Sequence, residues 1–290
     1  MDSPAARTVL SGAPALPPLL ARGAVLSPFK RPRPDADFPR TRLVLPALRA
    51  DPRRLASYAR VCGFTGDDDA LPLTYPHVLG FPLAMRLMSG RAFPLPLLGL
   101  VHTSVTVTRR ARLPAQDAYE LTVGIEGLAP HRRGTQATVL TEVRASGEVV
   151  WESRSTYLAR HGTPAPAPGA AGEDPRPLPP ADAWHLAPGL GRRYGAASGD
   201  RNLIHLHPLT ARLFGFPRPI AHGMWTAARC LAEHGTPDAV TARADFRAPV
   251  PLPGTVAYGA ADGRFTLTGR DGDGRTRLHV TGTVSPLRGA

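Results

Sequence analysis

Little in this chain can build a covalent framework: 290 residues hold two cysteines, Cys62 and Cys230. Two thiols exclude a disulfide scaffold and fit a reduced, cytoplasmic setting. Long apolar runs are missing too. No stretch reaches the roughly 18 residues that suggest a membrane span. Phe93–Val101 comes closest and is broken by Pro94 and Pro96. The segment Ala13–Leu20 is apolar and proline-rich, but Asp2 precedes it and no compact basic region accompanies it, so it does not read as a secretory signal. Lysine is nearly absent. Lys30 is the only one, so arginine carries the net charge of +12. The Arg/Lys ratio fits codon bias in a GC-rich genome, whereas the excess itself favours anionic partners. No recognition helix, zinc finger or aromatic RNA-binding motif goes with it, which argues against nucleic acid. The basic residues are scattered as pairs, such as Arg53–Arg54, Arg109–Arg110, Arg132–Arg133 and Arg192–Arg193. A phosphate-bearing small ligand or an acidic carrier protein fits that scatter at least as well.

Hydrophobic residues make up 42% of the chain and charged residues 20%, so it can bury a real core. Residues 1–35 lack periodicity and read as a loosely draped arm. Residues 161–180 (HGTPAPAPGAAGEDPRPLPP) can hold neither helix nor ladder and read as a linker. Between and beyond these lie two halves, 36–160 and 181–290, with the same order of elements. In the first, Asp51 caps a short helix with Pro52 at its first position. Tyr75–Met88 is helical despite Pro82, and strands follow over His102–Ala111, Ala118–Ile125, Gln136–Ser146 and Glu148–Leu158. In the second, helices over Tyr194–Ser198 and Gly223–His234 precede strands over Val240–Ala248, Thr255–Ala260, Arg264–Gly269 and Arg277–Val284. Helix followed by antiparallel sheet, twice, is an α+β arrangement. A sheet curled round one long helix in each half would bury Val78, Leu83 and Met88, and Met224, Ala227 and Leu231.

Chemistry concentrates in residues 194–224, YGAASGDRNLIHLHPLTARLFGFPRPIAHGM. Asp200 and His205 are five apart, a spacing that a continuous helix would splay but a loop could turn onto one water molecule. A carboxylate and an imidazole sharing a water suit proton abstraction and return near neutral pH. Read alone, Asp200 is equally a helix cap and His205 an ordinary loop or interior histidine. Ile220-Ala221-His222-Gly223-Met224 opens the long apolar helix, whose first N–H groups and dipole suit a developing oxyanion. Gly223 would let a ligand carbonyl approach the main chain, or simply ease the turn.

Tyr-x-x-x-Ser-Gly-Asp-x-Asn-x-Ile-His, followed by Gly-Phe-x-x-x-Ile-Ala-His-Gly-Met, resembles the signature of MaoC-like dehydratases and (R)-specific enoyl-CoA hydratases. The resemblance implies two tandem hot-dog folds, each an antiparallel sheet wrapped round a central helix, together forming a pseudo-dimer that works as a monomer or pairs again as a homodimer. It implies a hydro-lyase acting on 2-enoyl or (R)-3-hydroxyacyl thioesters of coenzyme A or acyl carrier protein, with no metal or organic cofactor. Asp200 and His205 would activate the water, and the Gly223 amide would polarise the thioester carbonyl. Asn202 would orient the pair, Ser198 and His222 would line the site, and an arginine such as Arg247 would meet the ligand's phosphates. Two positions depart from the family pattern. Leu203 stands where proline is usual, and His207 where an acid often follows.

If Tyr58–Gly63 lies over Tyr194–Gly199, then Phe64 occupies the place of Asp200, and Asp69 that of the histidine. The first half would then lack the acid–base pair and serve as the partner surface. His77 is either a relic of the Ala-His-Gly-Met turn or a helix-start histidine. Two rival functions also draw on these residues. A zinc hydrolase could assemble Asp200, His205, His207 and His222 on paper, but the spacing matches no recurring short zinc motif. A non-catalytic acyl-thioester-binding or assembly subunit would keep the fold without turnover.

Overall fold

The computed structural model describes residues 6–65, 69–163 and 176–287. These fall into two compact units that do not follow chain order. The first comprises residues 1–49, 79–105 and 117–173, and the second 50–78, 106–116 and 174–290.

In the first unit, strands β1 (Arg7–Val9) and β2 (Arg42–Leu48) pair in parallel. Antiparallel strands β4 (Tyr119–His131), β5 (Gly134–Ala145) and β6 (Glu148–Arg160) follow, and the first part of β3 (Val101–Arg109) borders β6. Ser146, at a positive φ of 50°, and Gly147, at 87°, turn β5 into β6, the hairpin expected there. Helix α3 (Tyr75–Met88), whose residues 79–88 belong to this unit, continues through Pro82 and buries Leu83 and Met88. Gly80 brings its backbone down onto the sheet, since a Cβ there would come 2.7 Å from Thr141 Cγ2. The arm expected to be loose carries structure over residues 6–35: β1, then helix α1 (Leu16–Leu26) and a 3-10 turn. The prolines Pro17 and Pro18 sit at the first positions of α1, where a missing N–H costs nothing.

In the second unit, β8 (Val240–Phe246), β11 (Thr276–Pro286), β10 (Arg264–Arg270), β9 (Gly254–Ala261) and β7 (Asp182–Leu186) form one antiparallel succession. Val240, Ala242 and Ala244 alternate inward while Arg243 points out, the pattern of a half-buried strand. The apolar helix α6 (Gly223–His234) buries Met224, Ala227 and Leu231. Helices α2 (Pro52–Cys62) and α4 (Leu190–Ser198) also belong here. Asp51 caps α2 as expected, accepting from the Arg54 N–H at 2.8 Å. Most of the proline-rich linker lies outside the described residues; within it, the Leu178 N–H donates to Thr266 Oγ1. Each unit joins helices to a mainly antiparallel sheet, an α+β hot-dog arrangement. Cys62 and Cys230 are free and buried, and burial pushes both thiols up, which makes them inert. Among the described residues no helix is long and apolar enough to cross a membrane.

The single lysine has a structural reason. Lys30 Nζ donates to the carbonyls of Gly90, Arg91 and Phe93 at 2.9, 2.8 and 2.6 Å, closing the turn after α3. Three rotatable donors on one point charge meet three converging acceptors, which a planar guanidinium cannot copy. Lys30→Met should cost about 2 kcal/mol, and thermal melting should show the loss. Lys30→Arg should recover less than half of it.

Candidate active site

The site is built on the C-terminal end of α4. Gly199 ends that helix in the left-handed region (φ 84°), turning the chain back over the helix as a glycine cap does. Gly191 and Gly195, one turn apart, form a bare face on which the returning loop rests. A Cβ on Gly195 would lie 2.7 Å from the Asp200 carbonyl oxygen, and one on Gly191 would overlap the His205 carbonyl. Neither glycine stood out in the sequence as a site residue. The helix expected over Tyr194–Ser198 begins four residues earlier, at Leu190, and so takes in Gly191.

Within the loop each polar group has a task. The Asp200 N–H donates to Ser198 Oγ at 3.2 Å, and Asp200 Oδ1 accepts from the Asn202 N–H at 3.1 Å. The Asn202 side chain caps the 3-10 turn Leu203–His205 through the Ile204 N–H. Asn202 thus steadies both partners, the carboxylate with its main chain and the imidazole-bearing turn with its side chain. His205 Nδ1 lies 2.8 Å from the Ile220 carbonyl. A carbonyl only accepts, so Nδ1 carries the proton and Nε2 of the neutral ring keeps its lone pair.

His222 lies flat against His205, with ring centroids 3.7 Å apart and 28° between planes. Its Nε2–H donates to the Asp200 carbonyl at 3.0 Å. One carboxylate oxygen of Asp200 and one ring nitrogen from each histidine lie within 4.8 Å of one another, a gap that one bridging water spans. The same three groups are those that could hold a metal ion. Near-parallel stacked rings aim their in-plane lone pairs side by side, however, and cannot both reach one ion at about 2.1 Å. His207, the fourth residue of the zinc reading, is exposed and caps α5 (Pro208–Leu213) through Nδ1. It does not join the cluster.

Ile220 and Ala221 anchor the approach to α6. The Ile220 N–H donates to the Ile204 carbonyl, and the Ala221 N–H to the Val250 carbonyl. Gly223 then opens the helix, where first-turn N–H groups lack intrahelical acceptors. A Cβ at Gly223 would come only to 3.4 Å from the Phe246 ring, so internal packing barely demands glycine here. Arg247 is not brought to this cluster. It follows Phe246 on the alternate face, and its Nε reaches Thr281 Oγ1 in a cavity of about 170 Å³ with Arg176, Arg243 and Arg264. Residues from the first half of the sequence also buttress the site. Tyr58 of α2 meets Tyr194 of α4 at 6.0 Å, and Trp225 Nε1–H donates to the Val61 carbonyl at 2.8 Å.

Burial sets the electrostatics. It raises the Asp200 carboxyl above the usual carboxylate range, opposed by the charge of His205. It lowers His205, opposed by the charge of Asp200, and holds His222 well below an ordinary histidine. Burial thus works against the charged form of each group, while the attraction between Asp200 and His205 works for it.

Known proteins are similar to this chain in sequence and in fold. The family described as MaoC like domain matches residues 172–283, which contain the whole cluster. Over 265 residues the chain is 38% identical to the 3-hydroxyacyl-thioester dehydratase X of Mycobacterium tuberculosis, covering 88% of this chain and 92% of that protein. This chain belongs to the MaoC-like dehydratases. It is accordingly a hydro-lyase, with activity of the dehydratase and hydratase class. A crystal structure of HtdX from the same organism superposes with a TM-score of 0.73 at 37% identity, over 85% of this chain and 100% of that one. A MaoC-like dehydratase from Phytophthora capsici shares the fold at 18% identity, with a TM-score of 0.66 over 84% of this chain and 95% of that one.

Two measurements test this account of the MaoC-like site. Gly191→Ala should lower kcat/KM at least tenfold while circular dichroism stays native, because its methyl displaces the His205 carbonyl. Gly189→Ala, whose nearest neighbour is an Arg192 nitrogen at 3.6 Å, should change it less than twofold. The second measurement is thermal stability against pH. His205, His222 and His77, the last lowered to about 4 by burial, are depressed in the fold below the ordinary value near 6.5. Their contribution is full above that value and is lost as pH falls towards their folded values. The melting temperature should therefore decline steadily between pH 6.5 and 4.

Proposed function

We propose that this protein catalyses the reversible hydration of 2-enoyl thioesters to (R)-3-hydroxyacyl thioesters, carried by coenzyme A or acyl carrier protein. The observation that carries the reading is the Asp200–His205 pair, held within bridging distance with the imidazole lone pair left free at Nε2. The name of the mycobacterial relative, a 3-hydroxyacyl-thioester dehydratase, supports the substrate class.

In the hydration direction a water sits between the Asp200 carboxylate and His205 Nε2. His205 takes a proton from it as the oxygen bonds to C3. The double-bond electrons move toward the thioester, and negative charge gathers on its oxygen. The Gly223 N–H and the positive end of α6 meet that charge. One proton returns from the pair to C2, so water has added across the bond and the pair ends as it began. Dehydration is the same path reversed. Ser198 and Asn202 act through Asp200, and His222 holds the loop by its bond to the Asp200 carbonyl and its stack on His205. The product's configuration follows from the family. Residues 36–160, with Phe64 in place of the carboxylate, serve as the non-catalytic partner surface.

The test is Asp200→Asn, assayed by loss of enoyl absorbance with crotonyl thioesters. Turnover should fall by roughly 10²- to 10⁴-fold. Stability at pH 7 should hold or rise, because the amide keeps the bond from the Asn202 N–H and removes the cost of burying an ionised carboxylate. Gly223→Ala should lower kcat with little change in melting temperature. Turnover by Asp200→Asn equal to wild type would sink the acid–base assignment. Silence from both proteins on every thioester would leave a binding subunit.

A further inference from the structure

Just beyond the catalytic loop the surface changes character. Leu203, Leu209, Leu213 and Phe214 are all exposed, Leu213 at 82% and Leu209 at 65%. Leu209 and Leu213 are four apart on α5 and share a face. Thr210 Oγ1 donates to the Leu203 carbonyl at 2.7 Å, which fastens the 3-10 turn against α5 and brings Leu203 beside that face. Single exposed leucines need no explanation, but four large apolar side chains within residues 203–214 mark a contact surface.

Along this segment the charge has one sign. From Arg201 to Ala232 there is no aspartate or glutamate, while Arg201, Arg212 and Arg218 are exposed. A second copy of this chain, itself +12, would set those arginines against their own kind. A free coenzyme A ester would satisfy the arginines but has no extended apolar surface to cover the leucines. An acidic protein with apolar side chains of its own satisfies both. We infer that this face docks an acidic carrier protein, which presents its acyl thioester to the neighbouring Asp200 and His205. The inference rests on the thioester reading above and selects the carrier within it.

The test compares one acyl group on two carriers. Crotonyl is loaded on a type II acyl carrier protein and on coenzyme A, and kcat/KM is measured for wild type, Leu209→Ser with Leu213→Ser, and Arg212→Glu. Binding of the uncharged holo carrier protein is followed separately by fluorescence anisotropy. Both variants should lose at least tenfold in kcat/KM on the carrier protein, through KM, and should weaken carrier binding by a similar factor. On crotonyl-CoA they should stay within twofold of wild type. Rising salt should weaken carrier binding to wild type more steeply than to Arg212→Glu. Equal losses on both substrates, or carrier binding unchanged in the variants, would overturn the inference. So would sedimentation showing a wild-type dimer that the double serine variant abolishes while carrier binding is unaffected; the face would then belong to a second copy. If wild type turns over neither ester, the thioester reading fails, and the anisotropy measurement still decides whether the face docks the carrier.

Discussion

Both main-chain groups of Ile220 are bonded to the loop that carries Asp200 and His205. Its carbonyl takes the His205 Nδ1–H, and its N–H is held by the Ile204 carbonyl. Without the first bond the imidazole could place its proton on either nitrogen, and Nε2 would keep its lone pair only part of the time. Without the second, the turn bearing His205 could drift from the start of α6. This two-point clamp explains why the segment before Gly223 is extended and paired, with the Ala221 N–H on the Val250 carbonyl. Groups on separate elements, here His205 and the first turn of α6, keep their geometry only if something rigid spans them.

The clamp works because the loop also has a floor. Gly191 and Gly195 give α4 a face without side chains, so the carbonyls of His205 and Asp200 rest directly on the helix. Glycine inside a helix costs roughly 0.5–1 kcal/mol apiece relative to alanine. Burial of the Asp200 carboxyl adds to that cost, since the ionised form is the one burial penalises. His222 Nδ1 is buried without a hydrogen-bond partner in the described structure, a further penalty. These local losses cluster at one place, where departures from good packing and polar satisfaction are expected if the place does chemistry.

Much of this was legible in the sequence. The spacing from Tyr194 to Met224 announced the loop, the helix start and the residues that meet there, because those contacts are local in sequence. Four strands of each half were legible in the sequence, whereas β1, β2 and β7 were not, and α6 falls on the expected residues Gly223–His234. What stayed hidden depends on contacts made far along the chain. Residues 1–35 read as a loose arm because only the fold shows that Pro17 and Pro18 begin a helix. Lys30 read as a compositional oddity because its three carbonyl partners lie 60 to 63 residues away. Arg247 sits next to a residue that touches Gly223, yet strand alternation turns it to the other face. Adjacency in sequence was a poor guide there, and the two-residue period of the strand was the better one.

Helices α2 and α4 are built alike and differ mainly in the residue that follows them. Both belong to the second unit, and both end in a left-handed glycine, Gly63 at φ 77° and Gly199 at φ 84°. Each carries a fully buried tyrosine five residues before that glycine, Tyr58 and Tyr194, and the two rings meet. The difference comes one residue later. After Gly63 the chain has Phe64, whose ring stacks over Tyr58 at 6.3 Å and adds to an apolar cluster. After Gly199 it has Asp200, whose carboxylate is desolvated but held by the Asn202 N–H and set beside His205. A ring at this step contributes apolar burial and stabilises the helix pair. A carboxylate at the same step forgoes that stabilisation and incurs a desolvation cost instead. Two copies of the acid would incur it twice, so a chain that carries both halves gains stability by keeping the aromatic in one of them.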